Sequence, residues 1–419
     1  MVSRQGTHRV IREFALTAFA AATFILVAAS PSVLAQTAGF ENEATLQYSS
    51  FAGLPPRVGS DYQVVESVPV SGYYGQFTLK TEFGDIHADG EGLLKQRIKE
   101  IQPTIELQKM STSKVFTDAL GQSVKGGAAS IGQAVAHPVN TVKNVPAGIG
   151  RFFKSVEKTV SGVTSTDGDG SQSAAVADAF GVNKAKRALA EKVGVDPYTT
   201  NPYLAKRLDS LANAAVAGGI SVDVVLAVST GGAAMIVSTT KTVSNLAWSL
   251  PPEDVRKRND EELAAIGADS ASRSKLLGNR WYTPTMALSF VEAMKNLDVR
   301  EGASSFAELA AGAQSEIEAR FYISQLRLAR RFADEGNAIA SMTTRGRIGA
   351  FITEKKGLFV PAALDYLTWT KEAQATIEAH EDPRPSSRTV WFTGKASPKA
   401  AEEIRRAGWI ARFDVAPAG

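Results

Sequence analysis

The sequence predicts an α+β protein that is mainly α: a small N-terminal β-containing unit, an amphipathic helical region, and a helical-bundle body with a small β/α module at its C-terminal end. Three patterns carry that expectation. β-branched and aromatic residues cluster between residues 62 and 81 and again beyond 346. Apolar residues recur at steps of three and four through most of the chain between. Helix-opening pairs such as Asn201-Pro202 and Thr283-Pro284 punctuate that helical interval.

The first element is a leader. Arg4, Arg9 and Arg12 precede an uncharged apolar run from Phe14 to Ala29, and Pro31 then breaks the helix before Ala35. This is the order of a cleavable secretory signal, read as residues 1–35, and the run is shorter than the roughly 20 residues a membrane span needs. The expected location is outside the cytoplasm, with the periplasm first, and outer-membrane association or secretion as alternatives.

Composition narrows the chemistry. The chain has no cysteine, so neither disulfides nor thiolate metal sites are available. Its formal net charge is +3, of which three arginines less Glu13 lie in the leader, and a near-neutral remainder argues against a nucleic-acid partner.

Residues 36–110 read as a small α+β unit. Tyr62–Pro69 and Gly75–Thr81 flank the turn-like Ser71-Gly72 as a hairpin, Gly84–Ala88 adds a strand, and Gly92–Ile101 forms a helix that Pro103 is expected to end. Residues 111–163 read as a Gly-rich, basic amphipathic helical region. Within it Val139, Val142, Val145, Ile149, Phe152 and Val156 recur at helical spacing, and bases outnumber acids. Residues 164–173, Thr-Ser-Thr-Asp-Gly-Asp-Gly-Ser-Gln-Ser, have almost nothing to bury and read as a flexible linker.

Residues 174–345 read as a helical domain. Ser305 and Glu308 have capping-box spacing, and the stripe Leu309, Ala313, Ile317, Phe321, Leu328 and Phe332 predicts one long helix ending at Gly336. Residues 346–419 read as an α/β module. Ile348–Thr353 and Leu358–Ala362 form a hairpin around Lys355-Lys356-Gly357. Thr389–Phe392 is a strand, Ser397-Pro398 opens a helix that Gly408 ends, and Trp409–Val415 is a second strand.

No nucleophile elbow, zinc-protease pair or phosphate loop is present, so the chain is read as leaning away from enzymatic function, and it calls for no cofactor or metal. The candidate contact surface for a membrane or an envelope protein is Lys143, Arg151, Phe152, Phe153, Lys154 and Lys158, since a basic amphipathic helix sets apolar side chains into a bilayer while its cations meet anionic head groups. The apolar stretch Leu211–Trp248 reads as a buried helix or hairpin, with membrane insertion as the alternative. Asp167, Asp169, Ser171 and Asp178 match part of a calcium-loop spacing, but Gln172 stands where the required glycine belongs. His87, His137 and His380 fall in no catalytic spacing, and Asn279-Arg280-Trp281-Tyr282-Thr283 reads as an aromatic plug with an anion site as the alternative.

The leading functional expectation is therefore an exported, envelope-associated protein of structural or interaction type. The first alternative is a periplasmic hydrolase that cleaves cell-wall or other glycan through paired carboxylates, which requires a cleft holding two inward acids. The second is a secreted pore-forming or toxin-like effector.

Overall fold

The computed structural model describes residues 39–113, 117, 170–217, 239–378 and 385–418. It is mainly α with two principal sheets, in agreement with the fold class expected.

The N-terminal sheet is built from β1 (Thr45–Gln47), β2 (Tyr62–Val64), β3 (Ser67–Ser71), β4 (Tyr74–Thr81) and β5 (Gly84–Asp89), all antiparallel about the central β4. Alternation along β4 buries Phe77 and Leu79, and β5 buries Ile86 and Ala88 on the same face. The stretch expected as one hairpin arm is interrupted at Val65-Glu66 by a shift of register: β2 and β3 pair with successive parts of one edge of β4, and β5 takes the other edge.

Helix α1 (Glu91–Ser111) covers the apolar face of this sheet through Leu93, Leu94, Ile101 and Ile105. It runs past Pro103, where a stop was expected. Proline costs one helical hydrogen bond, but Leu107 and Met110 beyond it are buried against the next helical pair, and that burial outweighs the loss. The pair is α2 (Gly170–Val193) and α3 (Pro202–Ala217). Helix α2 starts inside the stretch expected as linker, at Gly170. Asn201 caps α3 as its sequence position suggested, its side-chain oxygen accepting from the Tyr203 and Leu204 N–H groups at 3.1 and 3.4 Å.

The helical body continues with α4 (Lys241–Ser249), α5 (Pro252–Ile266), α6 (Ser270–Gly278) and α7 (Pro284–Leu297). Helices α8 (Ala303–Ala311) and α9 (Glu316–Asp334) complete it. The single long helix expected from Ser305 onward is thus two. Gly312 ends α8, and Ser315 restarts the chain, its hydroxyl accepting from the Glu318 N–H while Glu318 accepts from the Gln314 N–H. That reciprocal cap outcompetes continuation of the stripe. Ser305 lies inside α8, whose N-cap is Gly302 at φ 84°, and Glu308 reaches across to Lys275 instead. Accordingly Ser315→Ala is expected to cost about 1 kcal/mol and Ser305→Ala close to nothing, which urea unfolding of the two variants measures.

The C-terminal sheet has the order β12-β10-β8-β7-β6, from β6 (Ile339–Arg345), β7 (Ile348–Thr353), β8 (Leu358–Ala362), β10 (Arg388–Phe392) and β12 (Ile410–Arg412). The expected hairpin is present, with Phe351 opposite Phe359. β10 and β12 are parallel, joined by α11 (Pro398–Arg406), so the strand-helix-strand reading of this segment is a true crossover. A short ladder pairs β9 (Tyr366–Leu367) with β11 (Lys395–Ala396), and α10 (Lys371–Glu378) follows β9. Helix α9 seals the sheet: Phe332 stacks on Phe359 with ring centroids 3.9 Å apart, and Trp391 meets both edge-on. The described residues from Glu41 onward belong to one compact unit.

Candidate functional site

A cleft of about 540 Å³ opens where α1, α7, α9 and the loops after α2 and β8 converge. Its size falls within the range of small-molecule sites. One wall is apolar, formed by Met286, Ile317, Phe321, Ala363, Val415 and Pro417; hydroxyls of Thr200, Thr283, Thr285, Ser289, Ser324 and Thr393 line much of the rest. Four acids also line it, Glu91, Asp196, Asp365 and Asp414.

Asp196 stands in the turn between α2 and α3. Its Oδ1 accepts from the Tyr198 N–H at 2.8 Å, closing the turn, and from the Thr285 hydroxyl on α7 at 2.6 Å. The side chain is reached from the cleft yet surrounded by protein, and burial pushes its carboxyl up to about 6 despite both hydrogen bonds.

Asp365 lies just beyond β8. Its Oδ2 accepts from the backbone N–H groups of Gly75 at 3.0 Å and Glu91 at 3.1 Å, so it caps α1, whose own N-cap residue is Gly90. Burial pushes its carboxyl up to about 7, and the neighbouring Glu91 charge adds to that, against the pull of the two donors. The backbone here is fixed from three sides. Asp365 N–H donates to the Tyr73 carbonyl, its own carbonyl accepts from the Lys395 N–H, and Gly394 lies so close that a Cβ would stand 1.9 Å from that carbonyl oxygen.

Between the aspartates runs a buried ionic hub. Glu100 accepts from Gln96 at 2.8 Å, Arg97 at 2.9 Å, Thr199 at 2.9 Å and Asn201 at 3.0 Å. Arg97 also approaches Glu316 at 3.8 Å, and Arg320 binds Glu316 at 2.6 Å and Gln96 at 2.9 Å. Burial alone raises the Glu316 carboxyl, but Arg320 and Arg97 outweigh it and hold it below the ordinary range. Two cations and two anions thus balance, which is the condition under which buried charge is tolerated. The hub fixes α1, the loop before α3 and the first turns of α9 relative to one another, and those are three of the cleft's walls.

No family model, curated protein or solved structure matches the chain. The site therefore stands on its own geometry.

The sequence-level candidates fall mostly elsewhere. Lys143, Arg151, Phe152, Phe153, Lys154 and Lys158 lie outside the described residues, as do His137, His380 and Asp167. The apolar stretch Leu211–Trp248 is described only at its ends, within α3 and from residue 239 into α4, and no helix among the described residues is long and apolar enough to cross a membrane. His87 is exposed on β5 beside Thr78, 3.2 Å away, and faces no part of the cleft. In the 279–283 loop, the Asn279 amide donates to the Ala311 and Ala313 carbonyls, Arg280 stacks over Trp281 at 4.6 Å, and the buried Tyr282 hydroxyl donates to the Ala310 carbonyl. Asn279, Arg280 and Trp281 border a separate, shallow cavity with Lys275 and Glu308, and only Thr283 of this loop reaches the cleft, where it also caps α7. Among the described residues no group of three His, Asp or Glu side chains is placed to hold a metal ion.

Proposed function

We propose that the chain is an exported envelope protein whose folded body binds a hydroxyl-rich ligand of saccharide size in the cleft. The observation that carries this reading is the lining: hydroxyl-bearing residues and apolar side chains together border a space of about 540 Å³. Sugars present that same pairing, hydroxyl edges and a C–H face, and a pocket of few oriented polar groups on an apolar wall suits them. Titration calorimetry with N,N′-diacetylchitobiose and with the N-acetylglucosamine–N-acetylmuramic acid disaccharide tests it. Ser324 lines the cleft half-buried, so Ser324→Phe is expected to fill the space and abolish binding while the fold persists.

A second reading, hydrolysis of the bound glycan, takes Asp196 and Asp365 as its candidate pair, since both line the cleft and burial raises both carboxyls. It predicts new reducing ends from cell-wall glycan incubated with the protein, and their loss by about 100-fold or more in Asp196→Asn or Asp365→Asn. Binding without any release of reducing ends sinks this reading and leaves the first intact.

The basic segment remains the proposed membrane contact. Flotation of the mature protein with anionic liposomes, lost when Lys143, Arg151, Lys154 and Lys158 are changed to Gln, supports it, and equal behaviour of the two proteins removes it.

A further inference from the structure

Charge is distributed unevenly in the cleft. Glu91, Lys95 and Asp365 gather at the α1 end, where Lys95 pairs with Glu91 at 3.3 Å and Asp414 adds a further negative charge. The α9 face presents Arg320, Ser324 and Arg327 at helical spacing. Arg320 is committed to Glu316 and Gln96. Arg327 is different: its guanidinium makes no hydrogen bond or ion pair with any described side chain or backbone group, although Glu292 exerts a longer-range attraction. The residue is half-buried, and burial holds its guanidinium below its ordinary value, so the cleft wall carries a partly desolvated cation that no side chain neutralises at close range. The backbone carbonyl of the same residue is fixed by the Ala418 N–H at 3.2 Å, which sets the residue's position at the cleft wall.

We propose that Arg327 is the anion-reading residue of the cleft, and that its ligand is an acidic saccharide whose carboxylate docks on the Arg327 guanidinium beside the Ser324 hydroxyl. This inference rests on the saccharide-binding reading and adds to it the ligand's charge. A guanidinium in a partly desolvated wall offers a carboxylate paired N–H donors, an interaction roughly twice as strong as a neutral hydrogen bond. The apolar side chains of Phe321 and Met286 and the cleft hydroxyls are left for the sugar ring.

The test uses a matched pair of probes that differ by one lactyl carboxylate: the N-acetylglucosamine–N-acetylmuramic acid disaccharide and N,N′-diacetylchitobiose. Calorimetric titration of the full mature chain is expected to give about 10-fold or more tighter binding of the acidic probe. That ratio is expected to fall toward one in Arg327→Met, to persist in part in Arg327→Lys, and to shrink in the wild-type protein as salt is raised. The salt series needs no variant and keeps the proposal testable if Arg327→Met fails to fold. Equal affinity for the two probes, or a ratio unmoved by salt and by Arg327→Met, overturns the assignment of Arg327 while the saccharide reading stands. Binding of neither probe overturns both.

Discussion

Glu100→Ala is expected to destabilise the protein by about 3–5 kcal/mol, read as a fall in the urea midpoint. Glu100 is only 4% exposed and Arg97 3%, and the carboxylate accepts from four side chains on α1 and the 199–201 loop. Its removal leaves the buried Arg97 guanidinium with the Thr200 hydroxyl and the more distant Glu316 but no close carboxylate, and leaves the Thr199 hydroxyl and Asn201 amide without their acceptor. Replacing a whole buried ion pair by apolar groups is often neutral, so the double variant Glu100→Leu with Arg97→Met is expected to lose less than Glu100→Ala alone. A loss below about 1 kcal/mol for the single variant contradicts the view that the hub holds the cleft walls together.

The second large effect is at Asp365, and its sign depends on pH. The carboxyl is raised from an ordinary value of 3.8 to about 7 in the folded protein. Below pH 3.8 both folded and unfolded chains keep the proton, and the favourable contribution is fully present. Between 3.8 and about 7 the unfolded chain releases a proton that the folded one retains, so stability falls as pH rises, and above that range the loss is complete. The shift corresponds to about 4 kcal/mol. Asp365→Asn keeps an oxygen to accept from Gly75 and Glu91 but cannot ionise, so wild type minus variant is expected to lose stability progressively from pH 4 to pH 8. Asp365→Ala leaves both N–H donors unsatisfied in a buried place and is expected to cost about 2–4 kcal/mol near pH 4, a cost that shrinks as pH rises because the variant, like Asp365→Asn, cannot ionise there. Parallel stability curves for wild type and Asp365→Asn contradict the raised carboxyl.

Local chemistry explains which parts of the fold were legible. Asn201-Pro202, Thr283-Pro284 and Ser397-Pro398 cap helices because an N-cap needs only a side-chain oxygen two or three residues from the N–H groups it serves. Pro103 misled for the complementary reason: its penalty is local, while the burial of Leu107 and Met110 that outweighs it comes from α2 and α3. Ser305 misled because two capping boxes compete within ten residues, and Gly312 decides for Ser315. The cleft acids and the hub gave almost no signal. Asp365 meets Gly75 across 290 residues, and Glu100 meets Asn201 across 101. The Asp196-Pro197 turn is the one local clue, and a turn aspartate is ordinary until Thr285 arrives from α7.

Methionine methyl NMR reads directly whether the proposed ligand binds in the cleft. Met286 lines the cleft, whereas Met110 and Met342 are buried away from it. With carbon-13 methyl-labelled mature protein titrated with the acidic disaccharide, the Met286 methyl signal is expected to shift and saturate while those of Met110 and Met342 stay in place. A Met286 signal that does not move at saturating disaccharide, or movement confined to the other methionines, contradicts the account.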